Sequence, residues 1–221
     1  MPRLVSERTV LDALAAGQST LEVPAGALVT ALARDTAKAQ GLTFVTGSGA
    51  SAPTPADPVR PPSAPVKTLA VGCDHGGFDI KDALVAHATS LGWTVTDVGT
   101  HSTDSVDYPD FAYAVARLVH LGRVQYGLMI DGVGVGSAMV ANKVPGVRAA
   151  LCPDVFSAYN AKAHNDANVL TLGSRTMGVE VCKRVLAEFL AVPFEGGRHA
   201  KRVAKILDVE ARFLPGAEGT V

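Results

Sequence analysis

The chain has 221 residues, of which 48% are hydrophobic and 19% are charged, and its formal net charge is −1. This composition excludes a wholly disordered chain, and the near-zero charge provides no global basic field for nucleic acid or anionic lipid. Any anion must therefore bind at a local site. The length suffices for one domain and a small second segment.

The cysteine pattern and the hydropathy indicate the cellular compartment of the protein. Cys73, Cys152 and Cys182 are far apart and form no C-x-x-C pair, so neither a disulfide framework nor a zinc site is predicted. The first residues lack the apolar run of a signal peptide, and no run approaches the roughly 20 apolar residues that span a bilayer. We expect a cytoplasmic protein without membrane or nucleic acid partners.

Residues 1–45 are predicted to form a small helical N-terminal extension. One helix is predicted over residues 6–16, with Ser6 as its N-cap, and another runs from Leu28 or Thr30 to Gln40. A short apolar run follows the second helix. Two short helices and a strand bury little surface on their own, so this extension is expected to be a docking or targeting module.

Residues 46–66 are predicted to be a semi-extended linker. They contain six of the thirteen prolines in the chain, together with glycine, serine and alanine. The linker includes Gly-Ser-Gly-Ala-Ser-Ala, a partial match to a dinucleotide-binding fingerprint. Because no strand precedes this run and no helix follows it, no dinucleotide site is predicted there.

Residues 67–213 alternate between apolar, β-branched runs and amphipathic stretches of helical length. This alternation predicts an α/β fold: a Rossmann-like three-layer sandwich with a five-stranded parallel sheet. The predicted strands are 69–73, 93–98, 127–130, 147–151 and 169–172. The predicted helices are 77–91, 109–121, 135–143, 155–164 and 178–190, then a basic helix from about Arg198 and a C-terminal tail over 214–221.

Ligands in such folds bind at the carboxyl ends of the strands, so the residues that follow each strand are the candidates for a site. Asp74 and His75 follow the first strand, where they can hold and protonate a substrate oxygen. A helix-capping aspartate beside an incidental histidine is an equally supported interpretation. Tyr108 follows the second strand, and by itself it is better explained as a packing residue.

The third strand leads into a glycine-rich turn. Gly132, Gly134 and Gly136 alternate along it, which leaves backbone N–H groups free to point inward and favours a nest for a developing negative charge. The turn is not G-x-G-x-x-G, because Ser137 follows. A tight turn would explain one or two glycines but not three, and the ionisable Asp131 at its mouth favours a functional role.

The later elements add cationic residues. His164 lies at the end of a predicted helix, where it could also be a simple cap, and Arg175 ends the fifth strand. Arg198 and Arg202 are four residues apart on one helix face, a spacing that suits phosphate, although a solvated basic face is the commoner explanation. We expect these clusters to converge on one sheet edge. The predicted site gathers Asp74, His75, Asp131, His164 and Arg198.

These stretches resemble the family of ribose-5-phosphate isomerase B and the galactose-6-phosphate isomerase subunits. They are CDHGG, VDYPDFA, DGVGVGSAMVANKVPGVRAALC, HNDANVL, LGSR and FEGGRHAKR. The resemblance implies an aldose–ketose isomerase that interconverts ribose 5-phosphate and ribulose 5-phosphate in pentose phosphate metabolism. It implies no metal or organic cofactor, and a homodimer or tetramer with active sites shared between subunits.

The resemblance also implies roles for the residues of the first three strand ends. Asp74 and His75 would contact the ring oxygen and the hydroxyls of the sugar, and Tyr108 would line the pocket. The backbone from Gly132 to Gly136, with Ser137, would bind the substrate and stabilise an enediolate.

The remaining implied roles concern the later elements. His164 would help to open the sugar ring, and Asn165 would hold a substrate oxygen. Three arginines, Arg175, Arg198 and Arg202, would bind the phosphate of the substrate.

The chain departs from the family pattern in the turn. Asp131 stands where the family has its cysteine base, and Val133 stands where it has a threonine. A carboxylate can remove a proton next to a carbonyl, and a general base contributes roughly 10²–10⁴-fold. The alternatives are an isomerase that uses Asp131, an isomerase for another pentose or hexose phosphate, and a sugar-phosphate-binding or assembly subunit without catalysis, which Val133 favours.

A second resemblance concerns residues 23–41, which are similar to a segment of enzymes from bacterial microcompartments. Those enzymes carry a small amphipathic helix on a flexible linker that directs them into the shell. The helix predicted over 6–16 and the linker fit this arrangement, which would place the chain inside a microcompartment with the shell as its partner. A dispensable extension is an equally supported alternative.

Overall fold

The computed structural model describes residues 4–5, 7–24, 27–47 and 67–214. The predicted N-cap Ser6, all but the first two residues of the linker and all but the first residue of the C-terminal tail lie outside these ranges. Within them, no helix is long and apolar enough to cross a membrane.

The N-terminal unit is a β-α-β pattern that occurs twice. Its elements are β1 (Leu4–Val5), α1 (Glu7–Ala15), β2 (Thr20–Pro24), β3 (Leu28–Val29), α2 (Ala31–Ala39) and β4 (Thr43–Gly47). Each strand pairs in parallel with its counterpart, β1 with β3 and β2 with β4. Gly17 and Gly41 follow the two helices at positive φ, a conformation that glycine adopts without steric cost. The two halves are therefore built alike.

The prediction of a helical extension is incomplete for this unit. Both helices form, and Thr30 caps α2 by accepting a hydrogen bond from the Ala33 N–H. Three of the four strands were not predicted: β1 and β3 are too short to show a periodicity, and β2 is a short run that ends at Pro24. The unit has its own apolar core, which consists of Val5, Val10, Ala13, Val23, Ala33, Ala37 and Leu42.

The second unit confirms the predicted α/β sandwich. Its elements are β5 (Thr68–Cys73), α3 (Phe78–Ser90), β6 (Thr94–Asp97), α4 (Tyr108–His120), β7 (Tyr126–Asp131), α5 (Val135–Ala141), β8 (Ala149–Leu151), α6 (Val155–Ala163), β9 (Val169–Gly173), α7 (Val179–Ala191) and α8 (Gly197–Arg212). The five strands are all parallel, in the order β6-β5-β7-β9-β8. Every predicted element forms, with ends shifted by a few residues.

Two apolar layers cover the sheet. Side chains of α3, α6 and α7 pack with one face, whereas α4 and α5 pack with the other. All five residues of β9 are buried, as expected for a central strand of a parallel sheet with helices on both sides. This double burial explains why the strands appear in the sequence as nearly continuous apolar runs.

The topology decides where side chains meet. The chain leaves β5 toward β6 on one side and later returns to β7 on the other, so a crevice opens between the carboxyl ends of β5 and β7. Each crossover helix then carries the chain back to the amino ends of the strands. Residues that follow a strand therefore lie at the carboxyl edge of the sheet, and residues that end a crossover helix lie at the amino edge.

Candidate active site

The structure divides the predicted site residues between the two edges of the sheet. The carboxyl-edge cluster contains Asp74, His75, Tyr108, residues 131–137 and Arg175. The amino-edge cluster contains His164, Asn165, Glu195, Arg198, His199 and Arg202. The prediction that they converge on one edge is wrong for a single chain, because His164 ends α6 after that helix has returned to the amino edge.

Asp74 and His75 occupy the loop between β5 and α3. Oδ1 of the largely buried Asp74 accepts hydrogen bonds from the N–H groups of Gly76 at 2.8 Å and Gly77 at 3.1 Å. Nδ1 of His75 accepts from the Val106 N–H at 3.3 Å, so a neutral ring carries its proton on Nε2. Both side chains are thereby fixed by backbone groups at the mouth of the crevice.

The surroundings of the Asp74 carboxyl raise its pKa above that of an exposed aspartate. Burial raises the pKa of Asp74 most, the charge of Asp131 raises it further, and the N–H donors of Gly77 and Gly76 oppose the shift. Two carboxylates at neighbouring strand ends disfavour double ionisation, so one of them retains its proton more readily. This arrangement can serve as an acid–base pair.

Asp131 is 6% exposed, and its carboxylate folds back on its own turn. Oδ1 accepts hydrogen bonds from the N–H of Val133, at 2.7 Å, and from the N–H of Gly134. Oδ2 accepts from the hydroxyl of Ser137 and, at 3.3 Å, from its N–H. Asp131 therefore fixes the start of α5.

These contacts correct the prediction that the N–H groups of the turn are free. Those of Val133, Gly134 and Ser137 are occupied by Asp131. Among residues 67–214, no acceptor lies within hydrogen-bonding distance of the N–H groups of Val135 and Gly136, which are in the first turn of α5 and can bind an oxyanion. The sequence did not show this, because the capacity of Asp131 to cap its own turn depends on its side-chain rotamer.

Tyr108 and Arg175 flank the turn on either side. A Cβ atom on Gly136 would lie 2.6 Å from Cζ of Tyr108, so glycine is required there for the ring to lie on the turn. The Arg175 N–H donates to the Gly132 carbonyl at 3.0 Å, and the Arg175 side chain passes close to Gly132. Tyr108 is 38% exposed, and Arg175 is also exposed. Both side chains can therefore reach a ligand over the crevice.

The cysteines do not contribute a reactive thiol. Burial raises the pKa of Cys73 and of Cys152 to about 12, and it also raises the pKa of Cys182. All three side chains are buried and unpaired in disulfides. A thiolate base is therefore excluded at neutral pH, although Cys73 directly precedes Asp74.

The amino-edge cluster is organised around two stacked imidazoles. The rings of His164 and His199 lie 4.0 Å apart between centroids, with an angle of 4° between their planes. Oε2 of Glu195 lies 3.7 Å from Nε2 of each ring, and its Oε1 accepts a hydrogen bond from the Tyr159 hydroxyl at 2.6 Å. Asn160 Nδ2 lies 2.9 Å from Nδ1 of His164. His164 is also the C-cap residue of α6, as one of the two interpretations of its position predicted.

The charges in this cluster favour an anionic ligand. Burial lowers the pKa of His199 most, and the positive charges of His164, Arg198 and Arg202 lower it further. Although His164, Glu195 and His199 bring three potential metal ligands within 4.8 Å, Nε of Arg198 donates to Nε2 of His199 at 3.2 Å. This contact occupies the lone pair on Nε2 of His199 that a metal ion would need, and it places the Arg198 guanidinium beside that atom. A phosphate therefore fits this cluster better than a metal ion.

Three residues that the sequence analysis did not assign complete the two clusters. Ser174 links the loops after β5 and β7, because its hydroxyl donates to the Gly76 carbonyl and its N–H donates to the Asp131 carbonyl. Glu195 and His199 orient His164. Ser174 could have been found from the sequence because it directly follows a predicted strand. His199 could have been found because it is adjacent to Arg198. No local signal pointed to Glu195.

Comparison with known proteins finds relatives of the second unit. Residues 69–206 match the family model described as Ribose/Galactose Isomerase. The chain is 44% identical over 147 residues to ribose-5-phosphate isomerase B of Escherichia coli, which covers 66% of this chain and 99% of the relative. It is 39% identical over 140 residues to D-erythrulose-4-phosphate isomerase of Pectobacterium atrosepticum, which covers 63% of this chain and 92% of the relative.

Solved structures show the same fold. Ribose-5-phosphate isomerase B of Clostridium thermocellum has a TM-score of 0.65 and 41% identity, with 66% of this chain and 99% of the other covered. The Mycoplasma genitalium enzyme, solved with bound ribulose-5-phosphate, has a TM-score of 0.63 and 39% identity, with 65% of this chain and 95% of the other covered. The shared region corresponds to the second unit.

Proposed function

We propose that this chain, which belongs to the ribose/galactose isomerase family and is a sugar-phosphate isomerase, interconverts ribose 5-phosphate and ribulose 5-phosphate. The observation that carries the proposal is the position of Asp74 and Asp131 at the carboxyl ends of the adjacent strands β5 and β7, beside the same crevice. An acid and a base on adjacent strand ends are what proton transfer between neighbouring carbons requires.

Asp131 is the proposed base. It would remove the proton from C2 of the open-chain aldose, which forms an enediolate, and would return that proton to C1. Asp74 would donate a proton to O1 and recover one from O2, consistent with the raised pKa of its carboxyl. The N–H groups of Val135 and Gly136 would stabilise the enediolate oxygen. Because the thiols of this chain are buried, none of them competes for the role of base.

The active site is proposed to be shared between two copies of the chain. The amino-edge cluster holds the groups suited to ring opening and phosphate binding, namely His164 with Asn165, and Arg198 with Arg202. In one chain this cluster lies at the opposite edge of the sheet from Asp131. A homodimer, or a tetramer of such dimers, would bring the amino-edge cluster of one copy onto the carboxyl-edge cluster of the other.

A different sugar phosphate is the main alternative. The similar protein from Pectobacterium atrosepticum is named for a four-carbon substrate, D-erythrulose 4-phosphate, so the family fold accommodates chains of different length. A non-catalytic sugar-phosphate-binding role has one specific observation in its favour. The carboxylate of Asp131 already accepts hydrogen bonds from Val133, Gly134 and Ser137.

The decisive experiment measures isomerisation of a panel of sugar phosphates in deuterated water. The panel contains ribose 5-phosphate, erythrose 4-phosphate, allose 6-phosphate and galactose 6-phosphate. We expect turnover of ribose 5-phosphate with deuterium incorporation, and a fall of roughly 10²–10⁴-fold in kcat for Asp131→Asn. Preferred turnover of another sugar would correct the substrate. Thermal stabilisation by ribose 5-phosphate without turnover would establish the binding role instead.

We further propose that the N-terminal unit directs the chain into a bacterial microcompartment in the cytoplasm. In support, this unit has an apolar core of its own and precedes a proline-rich stretch. A fusion of residues 1–66 to a fluorescent protein should form puncta when shell proteins are co-expressed. A diffuse signal, equal to that of the unfused fluorescent protein, would leave the N-terminal unit without a targeting role.

A further inference from the structure

The inference concerns Arg148, which directly precedes β8 at the amino edge of the sheet. Its guanidinium contacts residues of the connection between α6 and β9, called here the 165–168 segment. Nε of Arg148 donates to the Asp166 carbonyl at 2.8 Å and to the Asn165 carbonyl at 3.3 Å, and Nη2 lies 2.7 Å from Oδ2 of Asp166. The Arg148 side chain is only 16% exposed, so it is committed to this segment.

The backbone of the 165–168 segment needs this support. Asp166 has a φ of 47°, the one positive φ of a residue other than glycine in the part of the chain that the structure describes. The left-handed region is costly for a residue with a Cβ atom, although aspartate tolerates it better than most. Arg148 binds the carbonyls of Asn165 and Asp166 and the Asp166 carboxylate, and it thereby stabilises this conformation.

Other hydrogen bonds fix the rest of the segment. Oδ1 of Asn168 accepts from the Arg148 N–H at 2.7 Å, and the Ala167 N–H donates to the Ala161 carbonyl at 2.9 Å. Of the three polar side chains of the segment, only the exposed amide of Asn165 has no hydrogen-bond partner among the described residues. A fixed backbone that carries a free amide is suited to a ligand contact.

His164, which precedes the segment, is held by groups other than Arg148. Its N–H donates to the Asn160 carbonyl at 2.9 Å, its Nδ1 lies 2.9 Å from Nδ2 of Asn160, and its ring stacks on that of His199. Loss of the Arg148 side chain should therefore displace Asn165 and leave His164 in place.

We propose that Arg148 is a positioning residue that aims the Asn165 amide at a substrate oxygen. The inference rests on the proposed isomerase function, in which Asn165 contacts the sugar. Arg148 acts through Asn165 rather than on the substrate, because its guanidinium is paired with Asp166. Misplacement of a substrate-binding group by about 1 Å can cost up to about 10²-fold in rate.

The test is a double-mutant cycle on kcat/KM with ribose 5-phosphate. Asn165→Ala removes a hydrogen bond to the substrate and should lower kcat/KM roughly 10-fold. Arg148→Ala should lower it about 3- to 10-fold. The double variant should lose no more than Asn165→Ala alone, because Arg148 acts through Asn165. Arg148→Lys, which keeps the charge but not the planar fork, should lie between the wild type and Arg148→Ala.

Asn142→Ala is the matched control for Arg148→Ala. The Asn142 amide forms two hydrogen bonds with the backbone of Ala149, at 2.8 Å and 2.9 Å, next to Arg148. Within residues 67–214, it forms none with the 165–168 segment. Asn142→Ala should therefore lower the melting temperature, as Arg148→Ala does, while kcat/KM stays at the wild-type value.

Other outcomes separate the inference from the proposed function. An active wild type in which the losses from Arg148→Ala and Asn165→Ala multiply in the double variant would overturn the role of Arg148 alone. An unchanged kcat/KM in Arg148→Ala, or an equal loss in Asn142→Ala, would do the same. A wild type without turnover on any sugar phosphate would overturn both proposals. If Arg148→Ala does not fold, the smaller loss in Arg148→Lys should likewise disappear when Asn165 is alanine.

Discussion

The two clusters of this chain are built by different means. In the carboxyl-edge cluster, backbone groups hold the side chains, and glycines allow close approach: a Cβ atom on Gly77 would overlap the Ile130 carbonyl, and one on Gly136 would overlap Tyr108. In the amino-edge cluster, Gly196 and Gly197 adopt positive φ with open space around them, and long cationic side chains lie near the surface.

This difference matches the chemistry assigned to each cluster. Proton transfer needs groups that are held within a narrow range of positions, and the buried carboxylates of Asp74 and Asp131 satisfy that need. Phosphate capture depends more on charge, which the exposed guanidinium groups of Arg198 and Arg202 supply. With the proposed roles, neither cluster contains both functions, so a single chain would carry two incomplete halves of a site.

Among the variants that compare the two clusters, Arg198→Ala is expected to have the largest effect, which is on KM. Loss of a charge-assisted hydrogen bond to the substrate phosphate should raise KM by about 10- to 100-fold. Because Arg198 is remote from the reacting carbons, kcat should fall much less than in Asp131→Asn. Steady-state kinetics with ribose 5-phosphate separates the two parameters.

Two further variants control this measurement. Arg198→Lys keeps the charge but loses the planar fork, so its KM should lie between those of the wild type and Arg198→Ala. Arg184→Ala removes an exposed arginine from α7, outside both clusters, and should leave KM unchanged. An equal loss of kcat in Arg198→Ala and Asp131→Asn would remove the functional distinction between the clusters.

A smaller effect is expected for the stability of the amino-edge cluster at acidic pH. Because the pKa of His199 is lowered in the folded chain, the unfolded chain binds a proton first as the pH falls below about 6.5. Stability is therefore lost as the pH falls through that value. The positive charges of His164, Arg198 and Arg202 act in the same direction, and the carboxylate of Glu195 opposes them.

Melting temperatures at pH 7.5 and pH 5.5 test this expectation. Between pH 7.5 and pH 5.5 the melting temperature of the wild type should fall by less than about 4 °C, given the size of the chain. The melting temperature of His199→Gln should fall by a smaller amount. The melting temperature of Arg184→Ala, which lies outside both clusters, should fall as much as that of the wild type. An identical loss in His199→Gln and the wild type would contradict the assignment to His199.

The sequence was sufficient to predict the sheet domain, but not the N-terminal unit. The three central strands of the domain, β5, β7 and β9, are largely apolar runs whose residues are nearly all buried, and this pattern is visible without a structure. The two-residue strands β1 and β3 have no periodicity of their own. Their pairing depends on contacts between residues such as Leu4 and Leu28, which are distant in sequence.

The site was predictable in its residue types but not in its geometry. Asp74, Asp131 and Arg175 are identified by their position after strands, which fixes the edge of the sheet where they lie. His164 ends a helix, and treating that position as equivalent to a strand end placed it at the wrong edge. The rotamer of Asp131, which occupies its own turn, follows from packing around Ser137 rather than from any local pattern.

The division into two half-sites is tested most directly by mixing two inactive variants. Asp131→Asn disables the carboxyl-edge cluster, and His164→Asn disables the amino-edge cluster. If a site combines one cluster from each copy, a dimer of the two variants contains one site with both changes and one site with neither. Unfolding and refolding the mixture, or co-expression, exchanges the subunits.

The random mixture should recover about a quarter of the wild-type activity, since half of the dimers are mixed and half of their sites are intact. Each variant refolded alone should stay inactive. The recovered activity should travel with the mixed dimer when the two chains carry different affinity tags. Activity in the mixed dimer no higher than in the separate variants would contradict a site shared between two copies.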